Sequence, residues 1–216
     1  MNIVKATELQ TKEITALIYA APGMGKTTAL GYLPGKTLIL DIDHSSDVLA
    51  GNENIDIVYI DNNLMNFNPV LQELEGGHTY DNICVDNLSE LEKCMLTEYG
   101  KQGKNDGAPE LIHYNRTNFK IVDYVRRFRA LPGNTVFTAW EEMSEITYPS
   151  GEKYTRFVPM LGKKTKDGVC GLCNMVAHLE YGKEKRFLRL ESSQTAYAKD
   201  QVYKRKYCEI GGLISG

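Results

Sequence analysis

The sequence has no apolar run long enough to cross a bilayer, no internal repeat, no low-complexity tract and no proline-rich linker. A spanning helix needs about 20 consecutive apolar residues, so we expect no membrane partner. Residues 1–5 are not followed by the apolar core of a signal peptide, which predicts a cytoplasmic location. Hydrophobic residues make up 42% and charged residues 25% of the 216, a globular composition, and we interpret residues 1–216 as a single domain.

Cysteine is scarce and odd in number: there are five, which predicts reduced thiols rather than disulfides. Cys170 and Cys173 form a C-x-x-C pair, and His178 and Cys208 follow. These four residues are a candidate zinc set, although the paired-knuckle spacing typical of such sites is absent. The alternative is two small residues packed on one helix.

An excess of positive charge is also missing, since the net charge is −3. An overall charge of this sign does not indicate a nucleic-acid-binding protein. A local basic stripe on an acidic body can still bind phosphates, so the distribution of charge matters more.

Short apolar runs alternate with amphipathic segments, which predicts an α/β fold with a mainly parallel central sheet flanked by helices and a C-terminal β-hairpin. The predicted strands are residues 14–19, 37–41, 55–60, 82–86, 135–140, 176–181 and 186–191. The predicted helices are residues 26–32, 69–75, 88–99, 114–131 and 169–175, with a mobile loop at 100–109 and a hairpin joining 146–148 to 154–158.

The strongest motif is a Walker A phosphate loop at residues 20–28, with alanine in place of its first glycine. It follows a predicted strand and opens a helix, the context that such a loop requires, whereas a chance glycine-rich turn is the alternative. Lys26 is predicted to reach the β- and γ-phosphates of ATP, and the Thr27 hydroxyl to bind Mg²⁺. The predicted ATP-binding residues are Ala21, Pro22, Gly23, Met24, Gly25, Lys26, Thr27 and Thr28.

Two acidic positions follow predicted buried strands, where ligands gather in open α/β sheets. Asp86 matches the Walker B role of holding Mg²⁺, with capping of the next helix as the alternative. Residues 40–47 bring three more aspartates to the end of another strand. A carboxylate there can orient the water that attacks the γ-phosphate, or it can serve only as a turn and cap residue.

The order of these motifs resembles the RecA/RadA ATPase core. The resemblance places Asp43 at the family's catalytic base, residues 81–91 at its Walker B segment, residues 136–141 at its sensor strand, and Lys199 at a late lysine that reaches the ATP of a neighbouring subunit. The chain looks most like phage-encoded RecA-core ATPases, including the Sak-type single-strand annealing proteins. The resemblance implies an RecA-like P-loop ATPase domain that uses ATP and Mg²⁺, with Lys26, Asp43 and Asp86 as catalytic residues.

Three departures from that family predict slow hydrolysis. Asp43 is one methylene shorter than the family's glutamate, Trp140 occupies a sensor position that is usually polar, and Lys199 is the one clear basic residue of the late motif.

Residues 153–166 contain five cations and no acid, interleaved with two aromatic residues. Cations bind phosphates and aromatic rings stack on bases, so the segment suits single-stranded nucleic acid, whereas a solvated hairpin is the alternative. The resemblance favours DNA-binding loops here and at 100–109. The predicted nucleic-acid contacts are Lys153, Arg156, Lys163, Lys164, Lys166, Lys101 and Lys104.

The leading hypothesis is therefore an ATP-dependent single-stranded-DNA-binding protein of phage recombination. The resemblance implies a homo-oligomeric filament or ring, which would work with a phage single-strand-binding protein in the host cytoplasm. A nucleotide-dependent adaptor without DNA contact is the alternative. A small-molecule kinase fits less well, because the one dense arginine cluster, residues 126–129, lies on a predicted helix rather than in a lid.

Overall fold

A computed structural model describes residues 5, 7, 13–147, 150–182 and 184–215. Strands and helices alternate through the first two thirds of the chain, and short strands follow. The strands are β1 (Thr15–Ala20), β2 (Thr37–Asp41), β3 (Ile55–Tyr59), β4 (Asn82–Asp86), β5 (Asn134–Thr147), β6 (Lys153–Pro159), β7 (Met175–Tyr181), β8 (Arg186–Arg189), β9 (Lys199–Asp200) and β10 (Tyr207–Glu209). The helices are α1 (Lys26–Leu30), α2 (Phe67–Gly76), α3 (Leu88–Lys101), α4 (Leu111–Arg129) and α5 (Lys163–Leu172), with 3₁₀ turns at Ser46–Leu49 and Ile210–Gly212.

One mixed sheet runs through the molecule in the order β10-β8-β7-β1-β5-β4-β2-β3. Its central strands β7, β1, β5, β4, β2 and β3 are parallel to their neighbours, and β8 and β10 extend it antiparallel. The predicted fold class is confirmed. Strand β5 lies between β1 and β4. The phosphate loop, which follows β1, and Asp86, which ends β4, are therefore one strand apart at the carboxyl edge of the sheet.

Strands β1, β2 and β4 are buried along their whole length because both faces of the sheet are covered. One face packs under α2, α3, α4 and α5, with Phe67, Phe128 and Phe137 among its buried rings. The other face packs under α1 and the C-terminal segment, with Ile39 and Leu188 in its core. Within the described residues, no helix is both long enough and apolar enough to span a membrane.

Helix α5 begins six residues earlier than predicted and ends three residues earlier. The sequence pattern missed the start of α5 because its first turn is polar and Gly168 lies inside it. Gly168 is the physical reason that the helix can pack here: a Cβ on Gly168 would lie 2.6 Å from Cγ2 of Val122 on α4. The close contact buries Thr165, Val169 and Cys170 on the same face.

Several other boundaries also differ from the prediction. The predicted loop at 100–109 is shorter, since α3 continues to Lys101 and α4 starts at Leu111. Strand β5 runs on to Thr147, and its second half pairs only with β6. The predicted hairpin at 146–158 is therefore present with longer strands. Two of its predicted residues, Tyr148 and Pro149, lie outside the described residues.

The C-terminal hairpin is confirmed as β7 and β8, which pair antiparallel between His178 and Arg189. The turn that joins them was predicted at residues 182–183, of which Lys183 lies outside the described residues. Strand β10 adds to the outer edge of β8, and β9 pairs with the first residues of β7. The sequence did not predict either of these last two strands.

Candidate nucleotide site

The phosphate loop joins the end of β1 to α1. Two of its glycines have positive φ, +77° at Gly23 and +96° at Gly25, a region that side chains with a Cβ disfavour. Between these two glycines, the side chain of Met24 packs against the core. This backbone is shaped as the Walker A interpretation requires.

Lys26 is buried and lies over the loop. Its Nζ donates hydrogen bonds to the carbonyl oxygens of Ala20 at 3.2 Å and Ala21 at 3.1 Å. Burial lowers the pKa of Lys26, and the nearby carboxylates of Asp86 and Asp43 raise it. The ammonium is thereby held among acceptors at the mouth of the loop, where an incoming phosphate would meet it.

The two predicted Mg²⁺ ligands are in contact although 59 positions separate them in the chain. Thr27 Oγ1 donates to Asp86 Oδ2 at 2.6 Å, and Thr138 Oγ1 donates to the other carboxylate oxygen. Burial raises the pKa of Asp86 to about 6, the two hydroxyl hydrogen bonds lower it, and the charge of Asp43 raises it further. A buried anion beside a hydroxyl is a fitting pair of ligands for a hard cation.

Asp43 faces the same space as Asp86. Its Oδ2 accepts a hydrogen bond from Asn87 Nδ2, whereas its Oδ1 is buried and has no partner among the described residues. An anchored carboxylate with one free acceptor can orient a water molecule. The geometry is compatible with the role that the resemblance implies for Asp43.

Asp41 has a different function. Its two oxygens accept hydrogen bonds from the backbone N–H groups of Ser45 and Ser46 at 3.2 and 3.0 Å. The carboxylate thus fixes the loop after β2, and this loop brings Ser45 Oγ within 2.9 Å of Thr27 Oγ1. The cap that the sequence offered as an alternative at this strand end is made by Asn87, whose Oδ1 accepts from the Glu90 N–H at 2.8 Å. Ser45 and Thr138 carry no such local signal, because their contacts depend on how distant strands align.

Trp140 ends the buried part of β5 and pairs with Ala20 of β1. Its backbone N–H donates to Ser89 Oγ at 2.9 Å, and Lys93 Nζ lies 3.9 Å from the centroid of its ring. The predicted sensor position therefore carries an aromatic ring under a cation, in place of a polar side chain.

A second polar cluster lies on the other side of β1. His178 Nε2 is 2.7 Å from Glu141 Oε2, and His178 Nδ1 is 3.1 Å from Glu180 Oε1. Glu180 also binds Arg189, and the imidazole stacks on Tyr19 with centroids 4.8 Å apart. Both ring nitrogens of His178 are thus engaged by carboxylates.

The candidate zinc set is not assembled. Cys170 lies on α5 and Cys173 caps its end, both buried in the core, and Cys208 lies on β10. Burial raises the pKa of the Cys170 thiol to about 12, which opposes the thiolate form that zinc needs. Within the described residues, no group of three or more His, Cys, Asp and Glu side chains is arranged to hold a metal ion.

The five predicted nucleic-acid residues of the segment 153–166 lie on strand β6 and helix α5. Lys153 and Arg156 belong to β6, and Lys163, Lys164 and Lys166 to the first turn of α5. Lys153 is paired with Glu145 at 2.8 Å and Lys166 with Glu142 at 2.6 Å. At the end of α3, Lys101 pairs with Glu98, and Lys104 is exposed in the following loop.

A cavity of about 530 Å³ opens between β6 and α5. Four cations line it, namely Arg156, Lys163, Lys166 and Lys199, together with the two carboxylates Glu145 and Asp167. The guanidinium of Arg156 lies over the ring of Tyr197, and its Nε is buried without a partner among the described residues. Lys199, predicted to reach a neighbouring subunit's ATP, thus lies with the predicted DNA contacts.

The kinase alternative requires a mobile arginine lid, and the arginine cluster at residues 126–129 is helical, as the sequence predicted. The cluster of residues 126–129 forms the last turn of α4. Arg127 makes a bidentate ion pair with Glu75 of α2: Nε donates to Oε1 at 2.7 Å and Nη2 donates to Oε2 at 2.8 Å. Arg127 thus links α4 to α2.

A family model described as an AAA domain matches residues 12–202. The matched span includes the phosphate loop, Asp43, Asp86 and Lys199. No curated protein matches the chain. The family match agrees with the predicted P-loop ATPase core, while the relationship to phage annealing proteins stays a prediction.

Proposed function

The chain belongs to the AAA domain family of P-loop ATPases, and on that basis we propose that it hydrolyses Mg-ATP and uses the nucleotide state to control binding of single-stranded DNA. The observation that carries the nucleotide part is the 2.6 Å contact between Thr27 Oγ1 and Asp86 Oδ2. Both oxygens suit Mg²⁺, which neutralises charge on the phosphates when bound.

Each remaining polar group at the loop has a definite task in this proposal. Lys26 donates to the β- and γ-phosphate oxygens, replacing its bonds to Ala20 and Ala21. Asp43 accepts the proton of the attacking water at its free Oδ1, while Asn87 holds the carboxylate in place. Because aspartate reaches less far than glutamate, we expect turnover to be slow.

Single-stranded DNA is proposed because cations and an aromatic ring converge in the cavity between β6 and α5. Lys163, Lys199 and the Nε of Arg156 have no carboxylate partner among the described residues, so they can take phosphate oxygens. Tyr197 offers a ring on which a base can stack. A homo-oligomer, phage recombination and a phage single-strand-binding partner remain part of the proposal.

The test is the anisotropy of a dye-labelled oligonucleotide with ATP, with ADP and without nucleotide, at two salt concentrations, with ATP turnover measured in the same samples. Binding should weaken with salt, and ATP should strengthen it in the wild type but not in Lys26→Ala. Removal of Lys163 or Lys199 should weaken binding and reduce the salt dependence by about 0.7 per lost phosphate contact.

Lys36→Ala is the matched control, because Lys36 is a surface cation paired with Asp56 at the opposite edge of the sheet. This variant should bind DNA as the wild type does. Absence of DNA binding at low salt in every nucleotide state would rule out the DNA part. Tight ATP binding without turnover would then favour the adaptor.

A further inference from the structure

Arg186 reaches the phosphate loop from the far edge of the hairpin. It is the first residue of β8 and pairs with Tyr181 of β7. Its guanidinium packs against the loop backbone, since a Cβ placed on Gly25 would lie 2.9 Å from Nη1 of Arg186 and 3.2 Å from its Cζ. Glycine is therefore required at position 25 for two reasons: its φ is +96°, and a side chain there would collide with the guanidinium of Arg186.

The guanidinium of Arg186 has no hydrogen bond or ion pair with the residues that the structure describes, and its Nε is buried. Other cations of this edge are paired. Arg189 binds Glu180 and Tyr207, and Lys185 binds Glu209. Partial burial of a guanidinium without an acceptor destabilises the fold. The position of Arg186 against the loop is therefore best explained by a bound anion that accepts its hydrogen bonds.

A groove beside Arg186 offers room for such an anion. Thr28, the last residue of the phosphate motif, lines it together with Arg186. Glu209 is the one carboxylate among the described residues that line this groove, and it is paired with Lys185. The groove therefore extends from Thr28, at the end of the phosphate loop, to the unpaired guanidinium of Arg186.

We propose that Arg186 contacts the α- and β-phosphates of the nucleotide held by the loop of its own chain. A guanidinium offers parallel N–H donors that match two phosphate oxygens, and such charge-assisted pairs are among the strongest hydrogen bonds in proteins. Gly25 and Thr28 border this end of the loop, whereas Lys26 and Asp43 face the γ-phosphate. The inference rests on the nucleotide binding proposed above.

The test is isothermal titration of ADP and of ATP into the wild type, Arg186→Ala, Arg186→Lys and Lys185→Ala, in the presence of Mg²⁺. Arg186→Ala should raise the Kd of both nucleotides by about 10- to 100-fold, and Arg186→Lys should recover part of the loss. Lys185→Ala removes a neighbouring but paired cation and should leave both Kd values within about twofold. Arg186→Gln serves if the alanine variant does not fold.

Melting curves without nucleotide separate a binding role from a structural one. Removal of an unpaired charge should leave the melting temperature of the free protein unchanged or higher. Unchanged Kd values in Arg186→Ala would overturn the inference and leave the proposed ATPase intact. A loss confined to ATP would overturn the assignment to the α- and β-phosphates. Failure of the wild type to bind either nucleotide would overturn both proposals together.

Discussion

Replacement of Asp86 by asparagine should make the nucleotide-free protein more stable while weakening its response to Mg-ATP. The carboxylate is buried, yet within the described part of the chain it accepts hydrogen bonds only from the hydroxyls of Thr27 and Thr138. A hydroxyl can donate or accept, so an asparagine amide can keep both hydrogen bonds without a buried charge. The wild type thus retains a destabilising anion that the proposed Mg²⁺ site requires.

The size of the effect follows from the pKa of Asp86. Folding raises that pKa from 3.8 to about 6. The folded state therefore binds the proton more tightly, and the free energy of unfolding falls as the pH rises through this window. Above it, the ionised carboxylate costs about 3 kcal/mol. Asp86→Asn should gain about 3 kcal/mol near pH 7.5, or about 6–12 °C in melting temperature, and only about 1 kcal/mol near pH 4.5.

Thermal melting with and without Mg-ATP at both pH values measures this. Asp41→Asn is the matched control: it is equally buried, but its oxygens accept from backbone N–H groups, which an amide nitrogen cannot satisfy. That variant should lose about 1–3 kcal/mol. The reasoning is refuted if Asp86→Asn melts at or below the wild type near pH 7.5, or if its gain is the same at both pH values.

Three further changes probe the loop and its surroundings. Lys26→Met should raise the Kd of ATP by about 10- to 100-fold by calorimetry, and an unchanged Kd would contradict its phosphate contact. Asp43→Asn should lower ATP turnover by about 10²- to 10⁴-fold while ATP affinity stays within about twofold; equal losses in both would argue against a base. Gly25→Ala should cost about 1–2 kcal/mol for its positive φ and more for the clash with Arg186, as measured by chemical denaturation. Gly151→Ala, at a position with φ of +88° and open space around it, should show only the cost of the positive φ. Combining Gly25→Ala with Arg186→Ala should remove the cost of the clash.

The central fold was predictable because its strands are continuous apolar runs. Strands β2 and β4 begin and end as predicted, since each has a sharp polar boundary at Asp41 and Asp86. Residues 141–145 of β5, which join its two predicted strands, were missed because they pair with β6 away from the main sheet. Helix α5 was misplaced because Gly168, which suggests a break in sequence, provides close packing in three dimensions.

The motif residues of the site were predictable for a different reason: Lys26, Thr27 and Asp86 carry their signal in local spacing. Thr138 has none, and it reaches Asp86 because the register of β4 and β5 sets Val85 opposite Phe137. Arg186 is further removed still, since its place depends on the hairpin folding back beside β1. Local sequence patterns do not predict contacts that depend on strand register or on how a hairpin folds.

The side chain at the predicted sensor position has a practical consequence. Trp140 is the only tryptophan among the 216 residues, so all indole emission from the protein originates at one place, beside the strand that leads into the phosphate loop. Lys93 lies over that ring, and any displacement of its charge alters the local field that sets the emission wavelength. The unlabelled protein therefore carries one indole whose emission reports on the surroundings of Ala20, where the phosphate loop begins.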